Sequence, residues 1–395
     1  MGGHAFEHDG LDGSPAVKIS RLSPSEYSNL KSNVADTLTT FFEQVRPLQE
    51  APGKADYGDI DFLVEGPHRA FTPEHLKIAV SATALRSNGG PITNFAVPFT
   101  GENGDTKYAQ VDVQTCHKEN IDWLTFHQSY GDLWQILGTI IRRYGLTAND
   151  KGLFLRIEEG EERNWQGSMV FLSRDPAAVV TFLGMDWGTF EAGFATLDNI
   201  FDWLAQCRLI DTDIFVRTAQ DHRERNIKTR PMFRRFLEEF VPALPAKDAD
   251  TLPSRSNVLH QALESFGARS EYEEKHRAIL DGNLEVKATD LALQALRPSE
   301  DVSKNATKNL NLVIRSIKRW VRLVSEHLEL RTQPEMDIDR QLKLRELLDR
   351  DQETLNEGHE RWIKDNFEEL KSVEKQRMKE AKEARKEVGS RMDHD

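Results

Sequence analysis

Asp59 and Asp61 are separated by one apolar residue in Tyr57-Gly58-Asp59-Ile60-Asp61-Phe62-Leu63-Val64, and they run directly into an apolar segment. In an extended strand, side chains at i and i+2 share a face. The two carboxylates then stand together, while Ile60, Phe62 and Val64 enter a core on the other side. Adjacent anions repel each other. A divalent cation removes that penalty, and hard oxygen ligands suit Mg²⁺. The chemistry this pair points to is chemistry on phosphate groups.

A third carboxylate lies further along. Phe95–Phe99 and Tyr108–Cys116 both read as strands. Between them, Gly101-Glu102-Asn103-Gly104-Asp105 carries an Asn-Gly turn signal. The second strand alternates: Ala109, Val111 and Val113 form an apolar face, and Gln110, Asp112 and Gln114 form a polar one. Asp112 therefore sits mid-strand on the polar face, an odd place for a merely solvated acid.

Gly58-Asp59-Ile60-Asp61 followed by a strand-borne Asp112 resembles the polymerase-β-like nucleotidyltransferase superfamily. The resemblance implies that Asp59, Asp61 and Asp112 hold two Mg²⁺ (or Mn²⁺) ions and that the substrate is a nucleoside triphosphate. Asp59 and Asp61 would bind metals and triphosphate. Asp112 would bind the catalytic metal and help activate an acceptor hydroxyl. The reaction implied is in-line displacement at the α-phosphorus, with pyrophosphate leaving. The order Ser129–Gly138, Tyr144–Thr147, Gly152–Ile157 is similar to uncharacterised nucleotidyltransferase-like proteins of fungi and large viruses, so the likeness spans residues 20–210.

One departure bears on activity. The family places a Gly-Ser pair at a helix N-terminus before the first Asp, where amides and a hydroxyl hold the triphosphate. Here the matching stretch is Pro47-Leu48-Gln49-Glu50-Ala51-Pro52-Gly53-Lys54. Gly53 and Lys54 are the candidates for a shortened phosphate loop, with Lys54 as the cation and Gly58 leading into Asp59. The missing Gly-Ser equally supports a non-catalytic module that binds nucleotide, nucleic acid or a protein partner. Asp-x-Asp also suits a nucleotide-sugar glycosyltransferase, although that chemistry has no need of Asp112.

These residues need elements to carry them. Ser23-Pro24-Ser25-Glu26 reads as a capped helix start, and Leu30, Val34, Leu38 and Phe42 form its apolar stripe. Thr72, Ser173-Arg174-Asp175-Pro176 and Thr196-Leu197-Asp198 mark further helix starts. The expected fold class is α+β: a nucleotidyltransferase-like mixed β-sheet with flanking helices, then a helical domain and a long charged C-terminal helical region. The expected division is a disordered tail at 1–20, a catalytic domain at 21–165, a helical domain at 166–300 and the charged region at 301–395. Residues 303–331 show an amphipathic helical pattern, and 336–388 read as a long charged helix. These C-terminal helices are a candidate surface for a protein partner or for self-association.

The clearest basic block is Arg217–Arg235, which holds Arg217, Arg223, Arg225, Lys228, Arg230, Arg234 and Arg235. It is the candidate site for a nucleic-acid acceptor; a solvated helix face paired with the chain's acids explains it as well. The same two readings apply to Arg315, Lys318, Arg319 and Arg322 beside Trp320.

The 395 residues suffice to bury a sizeable core. A formal net charge of −13 argues against a whole-chain nucleic-acid binder and against anionic membranes. Cys116 and Cys207, the two cysteines, read as reduced thiols. There is no long apolar run, and Met1-Gly2-Gly3-His4-Ala5 lacks the features of a signal peptide. The expected location is intracellular, cytoplasmic or nuclear, with no membrane partner.

Overall fold

The computed structural model describes residues 3–10, 15–101, 103–213, 215, 230–245, 252–296, 304–325, 327–349 and 354–392. Helix α1 (Pro24–Thr39) begins as its sequence dictates. Ser23 Oγ accepts from the Glu26 amide, the Glu26 carboxylate accepts from the Ser23 amide, and Pro24 fills the first turn. Tyr27, Leu30, Val34 and Leu38 form its buried stripe. The stripe does not continue in the helix to Phe42, as its spacing suggested. The helix stops at Thr39, and Phe42 opens strand β1 (Phe42–Pro47).

Strand β1 pairs antiparallel with β2 (Asp59–Pro67). After α2 (Pro73–Ala79), the chain adds β3 (Ala84–Ser87), β4 (Ile92–Thr100) and β5 (Thr106–Thr115). The sheet order is β1-β2-β5-β4-β3, with β2 and β5 parallel and every other pair antiparallel. The protein is thus α+β, built on a mixed five-stranded sheet with flanking helices and a largely helical C-terminal region.

The two faces of this sheet have different tasks. Ile60, Phe62 and Val64 join Phe95, Val97, Val111, Val113 and the α1 stripe in the main core. On the other face, Leu63 packs with Cys116, Ile121 and Leu124 at helix α3 (Ile121–Gln128). Asn120, at the cap position of α3, makes no side-chain capping bond; its Nδ2 donates instead to the Asp150 carbonyl at 3.0 Å. Buried Glu65 replaces it: its carboxylate accepts from the amides of Glu119, Asn120 and Ile121 at 3.0–3.2 Å. An anion at a helix N-terminus is favourable on both hydrogen-bonding and dipole grounds.

The tail expected to be disordered is ordered over its described part. Phe6 is fully buried against Ala84 and Ala96, with Val17 and Ile19 beside it. The Val17 amide donates to the Phe6 carbonyl, and the Ser20 amide to that of Tyr108. A short apolar set without helical or strand period gave no local signal, yet it finds a complementary patch on the sheet.

Helix α4 (Leu133–Arg142) leads into a three-stranded antiparallel sheet of β6 (Leu146–Asn149), β7 (Gly152–Arg156) and β8 (Met169–Ser173), with the short α5 (Glu158–Glu161) between the last two. Helices α6 (Pro176–Phe182), α7 (Trp187–Ala192) and α8 (Leu197–Ala205) follow, capped by Asp175, Asp186 and Thr196.

The chain divides into two compact units, Met1–Glu273 and Glu274–Asp395, rather than at 165/166 and 300/301 as the sequence suggested. In the second unit the amphipathic helix runs only from Lys304 to Trp320. Its expected continuation is a hairpin, Val321–Val324 against His327–Leu330, turned at Ser325 with φ +46°. The β-branched Val321 and Val324 favour that outcome. Among the described residues of the expected 336–388 helix, α-helix is formed by Glu357–Asp365 and by Phe367–Met392, which runs past its expected end. Leu344 and Leu347 instead reach the core through a short 3₁₀ turn, and Leu342 from the segment just before it. Fully buried Glu374 binds Arg319, Arg377 and the Trp320 indole.

Candidate active site

The parallel pairing of β2 with β5 sets the site. Asp59 stands opposite Gln110, and Asp61 opposite Asp112; across β4, Asn94 stands opposite Asp112. All five project from the face away from the main core, between α3 and the N-terminal segment.

Asp112 is held by two amides. Asn94 Nδ2 donates to Oδ1 at 2.7 Å, and Gln110 Nε2 donates to Oδ1 and Oδ2 at 3.0 and 2.9 Å. The Gln110 amide cannot turn over freely, because its Oε1 accepts from the backbone amide of Ala5 at 2.9 Å. Burial pushes the Asp112 carboxyl up to about 6, against the lowering effect of the two amides.

A fourth carboxylate joins the pair on β2. Glu50, Asp59 and Asp61 each offer an oxygen, all within 4.8 Å of one another. Oxygens on one Mg²⁺ lie about 3–4 Å apart at the usual bond length of about 2.1 Å, so small rotamer changes bring the three onto one ion. The donor set is all-oxygen and anionic, which fits Mg²⁺ or Mn²⁺.

Glu50 was not singled out by sequence reasoning. It lies in the stretch read for its glycine and lysine, and it reaches the site through tertiary pinning. The Leu48 amide donates to the Asp61 carbonyl, the Gln49 amide to Ser129 Oγ, and the Tyr130 amide to the Gln49 carbonyl. Tyr130 and Gly131, at φ +62° and +61°, turn the α3–α4 junction toward this loop. A left-handed tyrosine costs about 1 kcal/mol. The hydrogen bonds that tie Gln49 to Ser129 and Tyr130 offset that strain and hold the residue that precedes Glu50.

The electrostatics follow from this crowding. Burial raises the Asp61 carboxyl to about 7, and the charges of Asp59, Asp112 and Glu50 add to the rise. Asp59 is raised by burial and by Glu50, with relief from Lys54 and Arg21. Tyr27, stacked on Tyr57 with centroids 4.0 Å apart, is held in its neutral phenol form by burial and by Glu50.

The candidate phosphate loop is a turn and not a helix cap. No helix begins between β1 and β2, so residues 48–58 present no helix N-terminus. Gly53 adopts φ +82° with open space around it, and Lys54 is ion-paired to Glu50. Gly58 is covered: a Cβ on Gly3 would lie 2.8 Å from its carbonyl oxygen.

Within the basic block, Arg217, Arg223, Arg225 and Lys228 lie outside the described residues. Arg230 pairs with Asp132 at 2.8 Å, and Arg235 pairs with Asp198 and Glu239. Lys318, Arg319 and Arg322 are likewise engaged, with Glu285, Glu374 and Glu329. Among the described residues, no helix is long and apolar enough to cross a membrane.

Two solved structures illustrate what the chain is similar to. Both are Leishmania infantum polymerase β, one as a ternary P/T complex and one as a ternary gap complex. Identity is 12% to the first, over 36% of this chain and 61% of that one, with a TM-score of 0.30. Identity is 13% to the second, over 36% of this chain and 54% of that one, with a TM-score of 0.30. The match thus spans less than two thirds of either polymerase chain. No family model and no curated protein sequence matches.

Proposed function

We propose that the chain is a Mg²⁺-dependent nucleotidyltransferase, which moves a nucleoside monophosphate from a nucleoside triphosphate to an acceptor hydroxyl and releases pyrophosphate. One observation carries this reading. Glu50, Asp59 and Asp61 converge on a largely desolvated sheet face, with Asp112 opposite Asp61 on the parallel neighbour. Such crowding of anions is costly unless cations complete the site.

Bound there, Mg²⁺ or Mn²⁺ supplies Lewis-acid polarisation and neutralises charge on phosphate. Glu50, Asp59 and Asp61 would provide its oxygen ligands. Lys54 would exchange Glu50 for the triphosphate, placing its ammonium beside the leaving pyrophosphate. Asp112 would take the proton of the acceptor hydroxyl as that oxygen bonds to the α-phosphorus and the α–β bridge bond breaks. Burial pushes its carboxyl up to about 6, toward the range where a general base works well near neutral pH. Asn94 and Gln110 fix its orientation and leave it acceptor capacity, since a carboxylate has about four lone-pair sites.

The test is transfer from each α-labelled nucleoside triphosphate with Mg²⁺ or Mn²⁺, alone and with total RNA, beside an Asp59→Ala/Asp61→Ala control. The reading expects label transferred by the natural chain alone. Equal transfer by the double variant would overturn it.

A second reading rests on the absent helix N-terminus before β2: a non-catalytic module that binds nucleotide, nucleic acid or a protein partner. Calorimetry separates the two. Nucleotide binding that needs both Mg²⁺ and the carboxylates belongs to the enzyme; binding that survives Asp59→Ala/Asp61→Ala belongs to the module.

A further inference from the structure

Paired residues line up in rows across the site face of the sheet. One row is Ala84–Ala96–Gln110–Asp59, and the next is Arg86–Asn94–Asp112–Asp61. Neighbouring strands lie about 4.8 Å apart, so each row spans about 14 Å.

The N-terminal segment is laid across the sheet along the first row. Phe6 packs on Ala84 and Ala96 and is fully buried. The Ala5 amide donates to Gln110 Oε1 at 2.9 Å. Gly3 lies so close to Gly58 that a Cβ would come within 2.8 Å of the Gly58 carbonyl oxygen. Gly58 precedes Asp59, and Gln110 stands opposite it. Residues 3–5 therefore bridge the two flanks of Asp59, which is half-buried.

This strap is held by little. Among the described residues 3–10, Phe6 alone is buried. Arg86, at the end of the second row, clasps it: the guanidinium lies over the Phe6 ring, 5.2 Å from its centroid, and donates to the Pro15 carbonyl at 3.0 Å. The sheet beneath rests on the main core, to which Phe6 does not belong. A segment with one buried anchor opens at a lower free energy than a sheet with a large core.

We propose that residues 3–6 are a displaceable cover over the Asp59 end of the carboxylate site. Withdrawal of Phe6 from between Ala84 and Ala96 releases it, and this release sets access to the carboxylates. The cover stands apart from the nucleotidyltransferase reading; its effect on nucleotide entry rests on that reading.

The experiment on the full chain has two readouts that need no nucleotide. In hydrogen exchange of the natural chain, the Ala5 amide should exchange about 100-fold or more faster than those of Val111 and Val113 in the central strand. Exchange as slow as theirs would overturn the proposal, because the strap would then be a fixed wall. The second readout is carbodiimide labelling of carboxylates with glycine ethyl ester, followed by peptide mass spectrometry. Asp59 should label more slowly than exposed Asp36 in the natural chain. Phe6→Ala should speed Asp59 labelling by about tenfold or more and leave Asp36 unchanged, and Phe6→Leu should restore most of the protection. Gly3→Ala, whose Cβ meets the Gly58 carbonyl, should also speed it with the anchor intact; this variant decides the matter if Phe6→Ala fails to fold. Unchanged Asp59 labelling in both Phe6→Ala and Gly3→Ala would overturn the proposal.

Stopped-flow binding of a fluorescent nucleoside triphosphate with Mg²⁺ then reads access directly. Phe6→Ala should associate about tenfold faster than the natural chain, and equal rates would overturn the access role. No nucleotide binding by either chain would count against the transferase reading, and the labelling result would still decide the cover.

Discussion

Asp61 carries the site's largest electrostatic penalty among the three strand aspartates. Its ordinary carboxyl value of 3.8 is raised in the fold to about 7. Folding thus favours the protonated form. The stability this proton supplies is complete below pH 4 and is lost as pH rises through about 7. Asp59 and Asp112, also raised, act in the same sense. Metal-free protein should therefore melt lower at pH 8 than at pH 5.5 through this site, and Mg²⁺ should raise the melting temperature at pH 8 far more than at pH 5.5. Asp61→Asn should raise the metal-free melting temperature at pH 8 by about 2–4 °C and erase the Mg²⁺ effect; scanning calorimetry with EDTA and with Mg²⁺ checks both. A second prediction concerns Asp112. Since Asn94 lowers its pKa, Asn94→Ala should move the acid limb of the pH–rate profile upward. Asp112→Asn should reduce transfer by about 10²–10⁴-fold with an unchanged circular dichroism spectrum. An unmoved acid limb in Asn94→Ala would assign that limb to another group.

Elements place these residues, and the sequence reveals them unevenly. The caps at Ser23 and Thr72, and the helix starts near Asp175 and Thr196, were legible because each capping bond closes within three residues. The alternation of Ala109, Val111 and Val113 identified the apolar face of β5 for the same local reason. Asp59, Asp61 and Asp112 share a face because strand parity is a local property, although parity could not reveal that β2 and β5 are neighbours. Glu50 escaped notice because its position depends on Ser129 and Tyr130, far along the chain. The α3 cap escaped for a similar reason, because Glu65 supplies it from another element. Glu65→Ala should cost about 1–2 kcal/mol in urea unfolding. Asn120→Ala, at the nominal cap, tests a side chain that makes no capping bond. If Asn120→Ala proved the costlier in capping terms, the account of α3 would be wrong.

At the scale of the whole molecule, the carboxylate site lies within residues 1–273. The core beneath the sheet, the α3 contact and the N-terminal contact are internal to that unit as well. A chain ending at Glu273 is therefore expected to keep the Mg²⁺-dependent rise in melting temperature at pH 8. Loss of that rise in a folded fragment would show that the second unit contributes to the site. The second unit was the least legible part of the sequence. Its leucines follow a helical spacing past Trp320, but a β-hairpin and 3₁₀ turns bury them instead. A charge-rich segment satisfies several local patterns equally, and buried Glu374 with its arginine partners is decided only by packing.

The amide of Ala5 holds the oxygen of Gln110, and Gln110 turns its nitrogen to Asp112. The proton affinity of the proposed base is therefore wired to a peptide bond more than a hundred residues upstream. Ala5→Pro would delete that donor without touching an acid or a proposed metal ligand. Freed to rotate, Gln110 could present its oxygen to the carboxylate, and the base would become harder to ionise. The tuning of the proposed base is thereby exposed to sequence change at a site that any inspection of carboxylates would pass over. A peptide appended ahead of this segment, such as a purification tag, could alter the ionisation of Asp112 while leaving every proposed catalytic residue in place.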